Sequence, residues 1–165
     1  MPSSNLLSLD NAIKKIKSYF NEINSEEVFL ENAIGRCLAE PIISKLDNPR
    51  YDVSSMDGYA IDFDSYTKTK KNKDQKLKIV GESSAGIPFK GKIKELETIR
   101  IFTGAKIPSE CNTIISQEDV TVTKNENFIK LNTKIFKGQN MRKKGLDLQK
   151  NKKIFEKGTI IKARH

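Results

Sequence analysis

The chain has 165 residues, 31% of them charged and 36% hydrophobic, with 30 Lys+Arg against 21 Asp+Glu and a formal net charge of +9. That is one average domain or two small ones, polar but apolar enough to fold, with no run near the roughly 18 apolar residues of a membrane span and no secretory leader pattern, so a reducing cytoplasmic setting is expected. Cys37 and Cys111 make no disulfide framework, and a single histidine, His165, excludes a zinc cluster and the Ser–His–Asp and Cys–His machines.

Ser8 can cap a helix that Leu9, Ala12, Ile13, Ile16, Phe20 and Ile23 continue on one face, so a helix is expected over 9–23 with its apolar stripe in the core. Binding of a partner by that stripe is the lesser alternative. Glu27 to Leu30 reads as a short strand, Asn32 to Gly35 as a turn, and Arg36 to Ile43 as an extended piece. Past Pro49 the chain is mostly strand and turn. Tyr59-Ala60-Ile61 reads as strand. Thr67 to Lys76 holds five Lys and no large apolar side chain, so an exposed loop is expected. Strands follow at Leu77–Val80, at Thr98–Phe102, toward Ile115, at Val120–Val122 and at Phe128–Leu131, with a hairpin turn at 124–127. Ile154-Phe155 and Ile160-Ile161 suggest a last strand pair.

The positive charge collects late. Residues 134–165 carry eleven cations against Asp147 and Glu156, while the rest of the chain balances. Only Phe136 and Phe155 interleave with those cations, so no base-stacking platform forms and nucleic acid is not an expected partner. The architecture predicted is α+β, mostly β: an N-terminal helix plus short strands. Residues 1–46 and 136–165 form a discontinuous domain, and a β-rich unit spans 47–135.

Three stretches carry chemistry. In Asp52-Val53-Ser54-Ser55-Met56-Asp57-Gly58-Tyr59-Ala60, polar groups crowd the start of a strand. Gly58 permits a tight turn or a close approach, and Asp57 can accept hydrogen bonds or hold a cation. A plain Asp-Gly turn with local serine bonds is the competing reading. In Ile101-Phe102-Thr103-Gly104-Ala105-Lys106-Ile107-Pro108, a strand opens into a small-residue turn. There Thr103 offers a hydroxyl and Gly104 an amide; a simple hairpin corner fits equally. In Gly138-Gln139-Asn140-Met141-Arg142-Lys143-Lys144-Gly145-Leu146-Asp147, glycines bracket three cations. The stretch reads either as an anion loop using Arg142 or as a solvated charged turn.

Taken in order, PRYDVSSMDGYA, IFTGAKIPSECNTIISQED and GQNMRKKGLDL closely resemble the amino-terminal portion of the molybdopterin molybdenumtransferases, the MoeA and gephyrin E-domain family. The resemblance runs from Leu7 to about Ile161. It implies insertion of molybdenum from molybdate into adenylylated molybdopterin, with AMP released and Mg²⁺ assisting. It implies an elongated N-terminal domain with a barrel-like β domain inserted into it, in a homodimer that shares its active site between subunits. Molybdopterin adenylyltransferase would be the pathway partner. By the family pattern Asp57, Thr103 and Asp147 are catalytic, with Asp57 also toward the metal. Ser54, Gly58, Tyr59, Gly104 and Arg142 would contact substrate. Leu146 stands where the family more often has an acidic residue. The chain ends about where the family's catalytic α/β domain should begin, so the chain alone is expected to be inactive. The alternative is a non-catalytic dimerisation or scaffolding module of the same family.

Overall fold

Gly58-Tyr59-Ala60-Ile61 carries no charge, and such a run is what a strand buried on both faces requires. A computed structural model of the chain describes residues 6–21, 23–69, 75–123 and 127–165 and bears out the α+β, mostly β class. In chain order the elements are α1 (Leu9–Tyr19), β1 (Ile42–Ile43), β2 (Val53–Ser54), β3 (Gly58–Ile61), α2 (Phe63–Thr69), β4 (Lys76–Ser83), β5 (Glu97–Ile101), β6 (Thr113–Ser116), β7 (Val120–Val122), β8 (Phe128–Leu131), β9 (Met141–Arg142) and β10 (Lys153–Phe155). Short 3₁₀ turns lie at Leu30–Asn32 and Gln117–Asp119.

Six strands form one sheet in the order β6-β3-β5-β4-β8-β7. All neighbours are antiparallel except β4 and β5, which run parallel. If this sheet were flat, its edges β6 and β7 would stand about 24 Å apart at ordinary strand spacing. The three residues Gln117–Asp119 join those edges, a reach of roughly 14 Å from Ser116 to Val120. The sheet therefore curls until its edges approach. Both faces are apolar. Tyr59, Ile61, Leu77, Ile115, Val120 and Ile129 pack together with Tyr66 and Ile135 on one. Ala60, Ile99, Ile101 and Ile114 pack with Ala105, Ile107 and Cys111 on the other. Burial there pushes the Cys111 thiol up to about 12, so it behaves as a small hydrophobe.

The chain divides into two compact units, Met1–Pro41 with Glu156–His165, and Ile42–Phe155. The second contains the sheet. Its two ends are tied by the antiparallel pairing of β1 with β10, Ile42 opposite Phe155. In the first, Cys37 bridges Ile160, and backbone bonds run between residues 35–38 and 158–161.

Four expectations fail here. Ser8 does cap α1, accepting from the Asn11 amide at 3.3 Å, but the helix stops at Tyr19 rather than Ile23. The run Ser18-Tyr19-Phe20-Asn21 holds no strong helix former, and Phe20 is extended. The stripe is not core either: Leu9, Ile16 and Phe20 are 75%, 58% and 75% exposed, and no described residue of this unit is buried. Glu27–Leu30 finds no strand to pair with and turns into the 3₁₀ helix. The expected loop at 67–76 begins as α2, whose first amides are bonded by Asn112 and Asp62 and whose Tyr66 is buried. Residues 70–74 of that loop, and 124–126 of the expected hairpin turn, lie outside the described residues.

Candidate functional site

β2 is only two residues long, yet it has neighbours on both sides. On one side it pairs with β9, Val53 opposite Arg142 and Ser54 opposite Met141. On the other, the Gly104 amide donates to the Ser54 carbonyl at 2.9 Å, and the Ser54 amide donates to the Ala105 carbonyl at 3.0 Å. The first motif therefore lies between the second and the third, and the three stretches meet within the Ile42–Phe155 unit.

Asp57 sits in the turn between β2 and β3. Its Oδ1 accepts two bonds from Thr103, one from the amide and one from the hydroxyl, each 2.8 Å. Among the described residues nothing donates to Oδ2. The backbone bond from Thr103, then its hydroxyl, hold the carboxyl below its ordinary value of 3.8, outweighing partial desolvation. Replacing Thr103 with valine keeps the amide bond and removes the hydroxyl. A depressed carboxyl favours the folded, ionised form above its unfolded value and loses that preference as pH falls through the folded one. Thr103→Val is therefore expected to raise the Asp57 titration toward 3.8, read by carboxyl ¹³C shifts. An unmoved titration would show that the hydroxyl does not hold the charge.

Gly58 begins β3 and is not in a turn at all. A Cβ there would stand 1.9 Å from the Ile115 carbonyl oxygen, so glycine is required by the approach of β6. Gly104 does need positive φ, at +80°, but its amide is spent on Ser54 and is not open to a ligand. Ser54 is buried, its hydroxyl donating to the Met56 carbonyl at 2.6 Å, which makes it a local turn bond. Tyr59 is buried in the core beneath the Arg100 guanidinium, 5.1 Å from its ring centroid.

The third stretch does not present three free cations. Arg142 Nη2 donates to both oxygens of Asp147, at 2.7 and 2.6 Å. Lys143 pairs with Asp52 at 2.7 Å, and Lys144 with Asp47 at 3.4 Å. Asp52 also accepts the Lys144 amide at 2.8 Å. Desolvation raises the Asp52 carboxyl, but the two lysine bonds outweigh it and the net direction is down. The expected anion loop is thus neutralised by carboxylates of the same chain. Asp147 also borders a shallow cavity of about 240 Å³ lined by Gly145, Leu148, Lys152 and Ile154 among others. Sequence reasoning missed Asp47 and Asp52, because nothing in their local spacing reveals partners some ninety residues away.

A family model described as the MoeA N-terminal region, domains I and II, matches residues 7–165. The chain belongs to the MoeA N-terminal family. A molybdopterin molybdenumtransferase of Haemophilus influenzae is 32% identical over 157 residues, covering 94% of the chain and 37% of that relative. One from Nostoc is 36% identical over 119 residues, covering 72% and 27%. A crystal structure of the molybdopterin biosynthesis MoeA protein of Pyrococcus horikoshii superposes with a TM-score of 0.80 at 29% identity, covering 97% of this chain and 40% of that one. This MoeA N-terminal chain spans less than half the length of the relatives it matches. Among its described residues no helix is long and apolar enough to cross a membrane.

Proposed function

We propose that this chain acts in molybdenum cofactor biosynthesis as the N-terminal part of a molybdopterin molybdenumtransferase. It would supply one wall of a site where molybdenum from molybdate enters adenylylated molybdopterin and AMP leaves. The observation that carries the reading is Asp57, an ionised carboxylate with one oxygen fixed by Thr103 and the other unpartnered among the described residues. A carboxylate so held is pre-oriented: Oδ2 can receive a bond from water or from a protonated substrate oxygen without first rearranging. Arg142 and Asp147 stand across β2 from Thr103 and form a second held pair. Their bond keeps the Asp147 carboxylate in one orientation.

The family implies magnesium. No group of three or more His, Cys, Asp or Glu side chains gathers among the described residues. Mg²⁺ commonly takes one or two carboxylates and fills its shell with phosphate oxygens and water, and Asp57 Oδ2 fits that limited demand. When bound, the ion would offset negative charge on the phosphates. Molybdopterin adenylyltransferase remains the proposed pathway partner, as supplier of the adenylylated substrate.

The test uses a chimaera in which residues 7–165 replace the matched region of the Haemophilus influenzae relative. It is expected to insert molybdenum into an apoenzyme from molybdate and adenylylated molybdopterin, while the 165-residue chain alone does not. A folded but inactive chimaera would overturn the reading.

A scaffolding role is favoured by one observation, the uncovered stripe of α1. An isolated helix of eleven residues is marginal in water, so this stripe needs a cover, and a second copy of the chain is the proposed one. Ile16→Glu with Phe20→Glu is expected to halve the mass measured by light scattering while leaving the melting of the sheet unit unchanged. A monomer in both forms would remove the homodimer.

A further inference from the structure

The cations of the third stretch are matched by carboxylates, but the segment on the far side of β2 carries one that is not. Val53 pairs with Arg142 of β9 on one side and bridges Lys106 on the other. The Ser54 amide donates to the Ala105 carbonyl at 3.0 Å, and the Ile107 amide to the Asp52 carbonyl at 3.0 Å, which fixes that register. Residues directly opposite one another share a face, so Arg142, Val53 and Lys106 stand in one row. Burial agrees: Ala105 and Ile107, on either side of Lys106, are buried, whereas Lys106 and Arg142 are exposed. The backbones of Arg142 and Lys106 lie two strand spacings apart, about 10 Å, with Val53 between them. Both side chains are long enough to converge over that valine.

Lys106 is held without being neutralised. Its Nζ lies 4.4 Å from the ring centroid of Tyr51, which precedes Val53 by two residues and so shares its face. Among the described residues no carboxylate pairs with Lys106. Asp52, next to Val53 in the chain, gives its oxygens to Lys143 and to the Lys144 amide. Arg142 engages Asp147 through Nη2, and among the described residues its Nη1 and Nε stay open. Ser55, two residues beyond Val53, donates its amide to the Asn140 carbonyl, and among the described residues nothing bonds its hydroxyl. At Gly104 a Cβ would meet nothing within 4 Å, so no side chain closes over the row there. A planar carboxylate offers two oxygens, whereas donors converging from three strands suit a tetrahedral oxyanion, with Lys106 as a point charge and Arg142 as a directed donor.

We propose that Lys106 is a substrate-binding residue, which with Arg142 and the Ser55 hydroxyl takes a tetrahedral oxyanion over Val53. Thr103 precedes Lys106 by three residues, so their Cα atoms stand no more than about 11 Å apart, and the anion lies beside the Asp57–Thr103 pair. The inference rests on the reading that this face meets substrate. The chimaera assay tests that reading, and the experiment below measures no insertion, so either can fail while the other stands. Two parts of the proposed substrates share this chemistry, the phosphates of adenylylated molybdopterin and molybdate itself.

Binding is followed in the 165-residue chain, with no divalent cation added, through the amide NMR shifts of Val53, Gly104, Lys106 and Arg142. ADP, inorganic phosphate, molybdate and adenosine are titrated separately into the parent, Lys106→Gln and Lys134→Gln. Lys134→Gln removes a cation stacked on Phe136 and controls for net charge. An oxyanion is expected to move these amides saturably, and adenosine is not. Lys106→Gln is expected to weaken that binding about fivefold, the upper part of the range for one exposed charge pair, and Lys134→Gln by less than about twofold. Saturation by ADP and phosphate but not molybdate supports the inference with the phosphates as the source. Saturation by molybdate but not ADP supports it with molybdate as the source, and saturation by both supports the shared chemistry. No saturable shift with any oxyanion, an adenosine shift equal to that of ADP, or equal weakening in Lys106→Gln and Lys134→Gln overturns it. Should Lys106→Gln not fold, Lys106→Met, which keeps an aliphatic stem against Tyr51, decides by the same comparison.

Discussion

Gly58→Ala is expected to lower the melting temperature of the sheet unit by about 10 °C or more, from a cost of about 3 kcal/mol. The new methyl would meet backbone on β6, with the Ile115 oxygen at 1.9 Å and its carbonyl carbon at 2.9 Å. No side chain can swing aside to make room. β3 is hydrogen-bonded to both β5 and β6, so relief on one side strains the other. A melt within about 2 °C of the parent would mean that the strands separate cheaply, and the close approach would then not be what demands glycine.

In the chimaera, Asp57→Ala is expected to reduce molybdenum insertion by about 10²–10³-fold, the usual cost of removing one pre-oriented polar group from a reacting centre. The same change should leave the melting temperature close to the parent's, because Asp57 is partly exposed and water can satisfy the Thr103 amide and hydroxyl it leaves behind. Opposite results, a clear loss of melting temperature with normal turnover, would make Asp57 a turn residue and remove it from the site.

The sequence made the strands readable where apolar residues cluster. Thr98–Phe102, Val120–Val122 and Phe128–Leu131 all lie in or overlap observed strands. It made Asp57 and Thr103 readable as polar residues beside glycines, and the fold joins them by two bonds across 46 residues. Other features were hidden for definite reasons. The parallel pairing of β4 with β5 is a long-range choice that leaves no local mark. α2 was masked by the lysine-rich segment that follows it, although Phe63 and Tyr66, three apart, were the signal of a helix anchored on the core. Gly58 invited a turn because Asp-Gly usually makes one; only the position of Ile115 reveals the other cause. The lysines of the third stretch looked free because Asp47 and Asp52 lie so far away in the chain.

The clasp of β1 on β10 has an evolutionary and practical meaning. Because Ile42 and Phe155 are partners, the chain leaves the sheet unit beside the point where it came in. To a host protein such a segment is a plug-in: spliced between two neighbouring residues of a surface turn, it demands almost no separation of its flanks. The same adjacency lets the two ends be joined by a short linker and new termini be opened elsewhere, with little entropy spent on closing the circle. Asp57, Thr103, Arg100, Arg142 and Asp147 all lie inside that clasp, so a transplanted or permuted unit would carry its polar surface with it whole.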